Sequence, residues 1–222
     1  MVEEGTRPEE PARSTRRAAW AFAAVAALGL WLAAWAGYTR PAIAKEVERF
    51  ATDIVVLARV EAFADEIEVA ARESGLDPCL LAAIVYSESS GKPDAVSRAG
   101  AVGLTQLVPT ATRDAAKRLG LDAVPTPEEL MADPALNLRL GASHFAWTLE
   151  HEQRDPERAL VAYNAGRTKL ARWIREAGGY TRWRAGRLAA GDSPTLTYAR
   201  RVLDYQRTFC ERGVLVCEPC RP

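Results

Sequence analysis

Leu76-Asp77-Pro78-Cys79-Leu80-Leu81-Ala82-Ala83-Ile84-Val85-Tyr86-Ser87-Glu88-Ser89-Ser90 is the stretch on which the reading of this 222-residue chain turns. Asp77 is an N-cap residue type and proline suits the first helical position, so a helix is expected from about Pro78 to Ser90. Leu81, Ile84 and Val85 stand seven, four and three residues before Glu88 and share its face. A carboxylate is thereby aimed at a core or a cleft. Burial among apolar groups disfavours its charged form and raises its pKa, which suits a general acid near neutral pH. Glu88 is the candidate acid; the alternative is a residue that caps the helix end or salt-bridges a neighbour there.

Working outward, the spacings of three and four between apolar residues from Lys45 to Ser74 predict helix, ended by Gly75. Further helices are expected over Pro109–Leu119, Pro134–Glu150, Pro156–Tyr163, Thr168–Ala177 and Thr195–Phe209. Gly120, Gly141, Gly166, Gly178-Gly179 and Gly191 supply stops or close contacts. Alternating strand patterns are nearly absent, and Val96–Leu107, with Gly100 and Gly103, reads as a loop or a short hairpin. The expected class is all-α, α+β at most by that hairpin, with no internal repeat.

Lys and Arg (29) balance Asp and Glu (29), so no global field favours a nucleic-acid partner. His144 and His151 are the two histidines, and a His-rich metal site or a His-dependent triad starts with little support. Ala18–Tyr38 carries no charge and matches the roughly 20 residues that cross a bilayer. Arg13, Arg16 and Arg17 precede it, and Trp20, Trp31, Trp35 and Tyr38 include aromatics at both ends, which predicts a single transmembrane helix with residues 1–17 in the cytoplasm. The rival is a secretory signal cleaved near Ala42-Ile43-Ala44. Either way the remainder is exported, and an oxidising compartment favours disulfides among Cys79, Cys210, Cys217 and Cys220, with zinc as the alternative. The sequence does not choose the connectivity.

The residues after the helix carry a longer pattern: Glu88-Ser89, then Pro93-Asp94-Ala95-Val96-Ser97, then Gly100-Ala101-Val102-Gly103-Leu104-Thr105-Gln106-Leu107-Val108-Pro109. With Asn137-Leu138-Arg139-Leu140-Gly141, Ala162-Tyr163-Asn164-Ala165-Gly166 and Tyr198-Ala199-Arg200-Arg201-Val202, it resembles the soluble lytic transglycosylase domain family of the lysozyme-like superfamily, in that family's order and spacing from about Leu76 to Tyr205. Thr105 and Val108 stand where the family usually has methionines, Ala111-Thr112 where Thr-Ala is common, and Pro194 where a glutamate is frequent.

The resemblance implies a lysozyme-like helical domain with a cleft that cleaves the bond between N-acetylmuramic acid and N-acetylglucosamine in peptidoglycan strands. It implies that Glu88 acts alone, first as acid and then as base, to leave 1,6-anhydro ends without metal or cofactor. By position, Ser97, Gln106, Tyr163, Asn164 and Tyr198 would line the glycan site. Tyr163 matches the tyrosine that directs its hydroxyl toward the catalytic carboxyl, and Asn164 supports its turn. The residues themselves leave open a core aromatic at Tyr163 and a backbone cap at Gln106. Trp147, Trp173 and Trp183 stack on sugars or pack the core. The basic run from Arg167 to Arg187 contacts stem-peptide carboxylates or anionic lipid, or is a solvated face. The expected layout is a tail (1–17), a membrane helix (18–38), a helical stalk (39–70), a catalytic domain (71–209) and a Cys-containing tail (210–222), at the inner membrane facing the periplasm. A goose-type lysozyme-like hydrolase and a non-catalytic wall-binding scaffold are the competing readings.

Overall fold

The computed structural model describes residues 28–29, 31–32, 41–191 and 193–215. The expected cytoplasmic tail, most of the expected membrane segment, and Cys217 and Cys220 lie outside them. Among the described residues, no helix is long and apolar enough to cross a membrane. Two compact units divide the chain, residues 1–55 and 56–222.

The helices are α1 (Pro41–Glu61), α2 (Ala64–Ser74), α3 (Pro78–Ser89), α4 (Pro109–Arg118), α5 (Pro127–Ala132), α6 (Pro134–His151), α7 (Pro156–Ala165), α8 (Arg167–Ala177), α9 (Tyr180–Ala189) and α10 (Pro194–Arg212). No strand occurs among the described residues. The glycine-rich segment that allowed a hairpin holds isolated antiparallel bridges, Val96 to Val102 and Val102 to Leu107. One device starts five helices: Asp77, Thr126, Asp133, Asp155 and Ser193 each accept a hydrogen bond from a backbone N–H of the first turn, and a proline follows each. The cap satisfies a donor that the helix cannot, and proline has no N–H to leave orphaned. At Thr126 the cap is reciprocal, with the Glu129 carboxylate accepting the Thr126 N–H. α5 and α9 are absent from the sequence reading; the capping box was the available signal for α5.

Every residue from Cys79 to Tyr86 is buried, so α3 is enclosed on all sides, as a helix apolar all round must be. It packs against α10 and α2, while α7 packs on α10 and α6 on α2. Val56, Leu57, Val60 and Ile67 join this same core. A smaller cluster unites Val102 and Leu107 of the loop with Ala111 and Ala115 of α4, Leu130 of α5 and Leu140 of α6.

The loop is fixed to α6 by a buried polar knot. The Asn137 Oδ1 accepts from the Thr105 N–H (3.0 Å) and from Thr105 Oγ1 (2.8 Å), and Asn137 Nδ2 donates to the Val102 carbonyl (3.1 Å). Glycines admit this approach. A Cβ on Gly103, whose φ is +78°, would fall 2.1 Å from Asn137 Nδ2, and one on Gly141 within 2.5 Å of the Thr105 side chain. Thr105, which stands where the resembled family usually has a methionine, is therefore wholly buried against α6.

Candidate active site

Glu88 occupies the last turn of α3, half-buried. The chain turns sharply after it: Ser90 adopts a left-handed conformation (φ 56°) and its N–H donates to the Tyr86 carbonyl at 3.2 Å. A non-glycine residue in that region is under strain, which surrounding structure must hold. Here Arg59 Nη1 donates to the Ser90 carbonyl (3.0 Å), and the next residue is glycine because a Cβ on it would meet the Val60 nitrogen at 3.0 Å.

The Tyr198 hydroxyl, brought by α10 and buried, donates to Glu88 Oε1 at 2.6 Å. One turn on, Arg201 lies over the Tyr198 ring, 6.0 Å from its centroid. Burial raises the Glu88 carboxyl above its ordinary value; the Tyr198 hydrogen bond and the Arg201 charge oppose it without cancelling it. Burial and the neighbouring Glu88 carboxyl push the Tyr198 hydroxyl well up. It therefore stays protonated and donates.

Tyr163, expected to aim its hydroxyl at the carboxyl, donates instead to the Thr105 carbonyl at 2.8 Å. It still stands near Glu88, whose charge adds to burial in raising the Tyr163 pKa. Asn164 is exposed beside it. Ser97 and Gln106 build the loop: Ser97 Oγ accepts from the Ala101 N–H (3.0 Å), and Gln106 Nε2 donates to the carbonyls of Ala95 and Gly103 (both 3.0 Å). Gln106 is thus a backbone cap, with φ at 50° and its Oε1 not engaged in those bonds. Arg201 was missed by sequence reasoning; its spacing of three from Tyr198, on one helical face, was the available signal.

Trp173 and Trp183 stack on each other, centroids 5.6 Å apart and planes within 9°, which is packing between α8 and α9. Within the basic run, Arg167 and Arg184 are paired with Glu152 and Glu157, while Arg175, Arg182 and Arg187 are exposed. Asp77, Cys79 and Cys210 bring their donor atoms within 4.8 Å of one another, but Cys79 is disulfide-bonded and has no thiolate to offer a metal. The Asp77 carboxylate there already accepts from the Cys79 N–H at 2.9 Å and from Gln206 Nε2.

A half-buried acid at a helix end, hydrogen-bonded by a buried tyrosine beside a glycine-stabilised loop, coincides with a family match. The Transglycosylase SLT domain is matched over residues 65–185, more than half of the chain, and the protein belongs to that family. Over 73 residues it is 44% identical to the endo-type membrane-bound lytic murein transglycosylases A of two Klebsiella pneumoniae strains, a match spanning 32% of this chain and 36% of theirs. The chain thus covers about a third of those curated relatives' length. Among solved structures, an inactive mutant of the lytic transglycosylase Slt from Pseudomonas aeruginosa superposes with a TM-score of 0.58 at 24% identity, over 69% of this chain and 25% of that one. The 70-kDa soluble lytic transglycosylase of Escherichia coli gives 0.59 at 22% identity, over 67% and 24%. These two likenesses establish the shared helical fold.

Proposed function

We propose that this protein is a peptidoglycan lytic transglycosylase with Glu88 as its single acid and base. The observation that carries the reading is the Glu88 carboxyl itself, raised by burial and held on one oxygen by Tyr198. With Oε1 occupied by that hydroxyl, Oε2 carries the proton of the neutral acid. It passes to the glycosidic oxygen between N-acetylmuramic acid and N-acetylglucosamine as the C1–O bond breaks, and the leaving sugar departs as an alcohol. The carboxylate so formed takes the proton of the muramyl 6-hydroxyl while O6 bonds to C1. The proton returns to Glu88, no water is consumed, and the product ends in a 1,6-anhydro ring. A nucleophile carried on the substrate needs no second carboxylate to deliver it.

In this reading the Gln106 Oε1, Ser97, Tyr163 and Asn164 border the glycan. Ala18–Tyr38 anchors the chain in the inner membrane with the catalytic body in the periplasm, and the name of the membrane-bound Klebsiella relatives supports that placement. Cys79, wholly buried beside Cys210, is tied to the Cys-containing tail.

The test incubates the full chain, in detergent, with purified peptidoglycan beside its Glu88→Gln twin and weighs the released fragments. Anhydro ends from the parent alone are expected. Fragments heavier by one water would replace the reading with hydrolysis, and release by both proteins would remove Glu88 from the chemistry.

A further inference from the structure

α1 carries an apolar stripe that stands exposed. Ile43, Val47, Phe50 and Ile54 follow one another at spacings of four, three and four, and at 3.6 residues per turn they fall within about 60° of one another around the helix. Phe50 is 68% exposed, Ile54 48% and Ile43 42%. Val56 and Val60, which are buried, lie more than about 90° round from the centre of the stripe. The stripe is therefore a second face of α1, distinct from the one that the core uses.

The alternation of four and three is that of a coiled coil. In heptad terms Val47 and Ile54 are a positions, Ile43 and Phe50 are d positions, and Leu57, which is buried in the core, is the next d. β-branched residues at a suit two parallel strands. The flanking positions choose the direction. Glu46 and Asp53 stand at g, Ala51 and Ala58 at e. Two parallel copies set each g opposite the e five residues on, so Glu46 meets Ala51, and Asp53 meets Ala58, of the other copy. Antiparallel copies set g against g, and Glu46 would face Asp53, a like-charge pair that disfavours association.

The surroundings select a second copy over a lipid surface. A helix that lies in a membrane interface has a polar face rich in Lys and Arg, whereas between Ile43 and Ile54 the acids Glu46, Glu48 and Asp53 outnumber Lys45 and Arg49. α1 begins at Pro41, three residues after the uncharged stretch Ala18–Tyr38 ends. With that stretch as the anchor, every copy enters α1 at the same level and in the same direction. A seam of two heptads is short for soluble chains, isolated helices of that length being marginal in water. The shared membrane supplies the effective concentration and the parallel alignment that such a seam lacks.

We propose that α1 is a homodimer interface in which Ile43, Val47, Phe50 and Ile54 pair in parallel with the same residues of a second copy. This rests on the reading of Ala18–Tyr38 as a membrane anchor and is independent of the chemistry at Glu88. α1 runs on without a break through Val56, where the second compact unit begins, so the pairing holds two catalytic bodies in one membrane-bound particle.

The experiment reconstitutes the full chain in liposomes of phosphatidylethanolamine and phosphatidylglycerol, with a photoreactive benzoylphenylalanine in place of Ile43. After illumination the products are weighed and digested with trypsin. A species of twice the chain mass is expected, cross-linked from that site to the segment of the other copy that holds Ile43 or Val47. The same probe in place of Thr52, on the opposite side of the helix, should give no more of it than a sample kept dark. Phe50→Glu combined with Ile54→Glu, both at exposed positions, should weaken association at least about tenfold when the protein is diluted in lipid, and thermal unfolding of that variant shows that the body is intact. A monomer in the bilayer, a dimer that survives the two glutamates, or equal cross-linking from Thr52 overturns the interface. Cross-links from the first site to the segment that holds Ile54 overturn the parallel pairing, and cross-links to lipid place the stripe on the membrane instead. Alkaline carbonate tests the anchor by itself. Protein that it strips from the liposomes ends the anchor reading and the dimer that depends on it, whereas a monomer that resists stripping ends the interface alone.

Discussion

Glu88 and Glu157 each accept a hydrogen bond from a tyrosine hydroxyl, Tyr198 in one case (2.6 Å) and Tyr180 in the other (3.1 Å), and their carboxyls are shifted in opposite directions. For Glu157 the leading cause is Arg184, whose Nε and Nη2 donate to its two oxygens and hold it below the ordinary carboxylate value. Glu88 has the charge of Arg201 but no ion pair among the described residues, and burial wins. Helix position reinforces both results. Glu157 is the second residue of α7, where the partial positive charge of the N-terminus favours a carboxylate, and Glu88 is next to last in α3, where the negative end disfavours one. A tyrosine alone does not make a carboxyl a poor acid; a guanidinium fork does.

The largest expected break in this comparison is Glu88→Gln. Removing a general acid typically costs 10²–10⁴-fold, so release of anhydro fragments should fall by at least about a hundredfold while Glu157→Gln leaves it within about twofold. Comparable losses from both variants would mean that the two carboxyls do not differ in role. Next in size is Tyr198→Phe. A hydrogen bond to a charged group is worth about 1.5–3 kcal/mol, and kcat should drop by roughly ten- to a hundredfold. Because the Tyr198 hydroxyl favours the charged form, its loss raises the Glu88 pKa, so the alkaline limb of the kcat profile should move to higher pH. A limb that stays in place, or moves down, would contradict the assigned hydrogen bond.

Much of this was legible in the chain. The period that put Leu81, Ile84 and Val85 on one face with Glu88 placed that glutamate on a helix, and the Asp77-Pro78 cap located its start. Less legible was which tyrosine reaches the carboxyl. Tyr163 and Tyr198 both sit in motifs, but Tyr163 faces a carbonyl freed by the loop's own turn at Thr105, a partner that exists only after the loop folds against α6. Thr105 shows the same limit. In sequence it is only a departure from a usual methionine, and it takes Gly141, 36 positions later, to leave the hole that it fills. α9 escaped because Gly178-Gly179 reads as a stop, whereas Gly178 ends α8 in a left-handed conformation and Gly179 caps the next helix directly.

A smaller effect separates the two glutamates through stability. Arg184→Met should leave peptidoglycan cleavage unchanged and cost about 1 kcal/mol at neutral pH, since the pair is partly exposed. Its pH dependence follows from the direction of the Glu157 shift. A folded value below the unfolded one, near 4.3, contributes stability above that pH and loses it as pH falls through the folded value, so the variant and the parent should converge in acid.

For Glu88 the sign reverses. Its folded value lies above the unfolded one, so below about pH 4 both states are protonated and the carboxyl costs nothing by this route. As pH rises, the unfolded chain ionises first and the native state is penalised until its own carboxyl gives up the proton. Glu88→Gln keeps an oxygen for the Tyr198 hydroxyl and removes the ionisation. It should therefore be more stable than the parent at pH 7.5, with the difference closing toward pH 3.5, in urea unfolding followed by circular dichroism. Parent and variant curves that run parallel across that range would mean that Glu88 is solvated like an ordinary surface acid. The argument that it holds a proton for a leaving group would then lose its physical basis, whatever the activity of the enzyme.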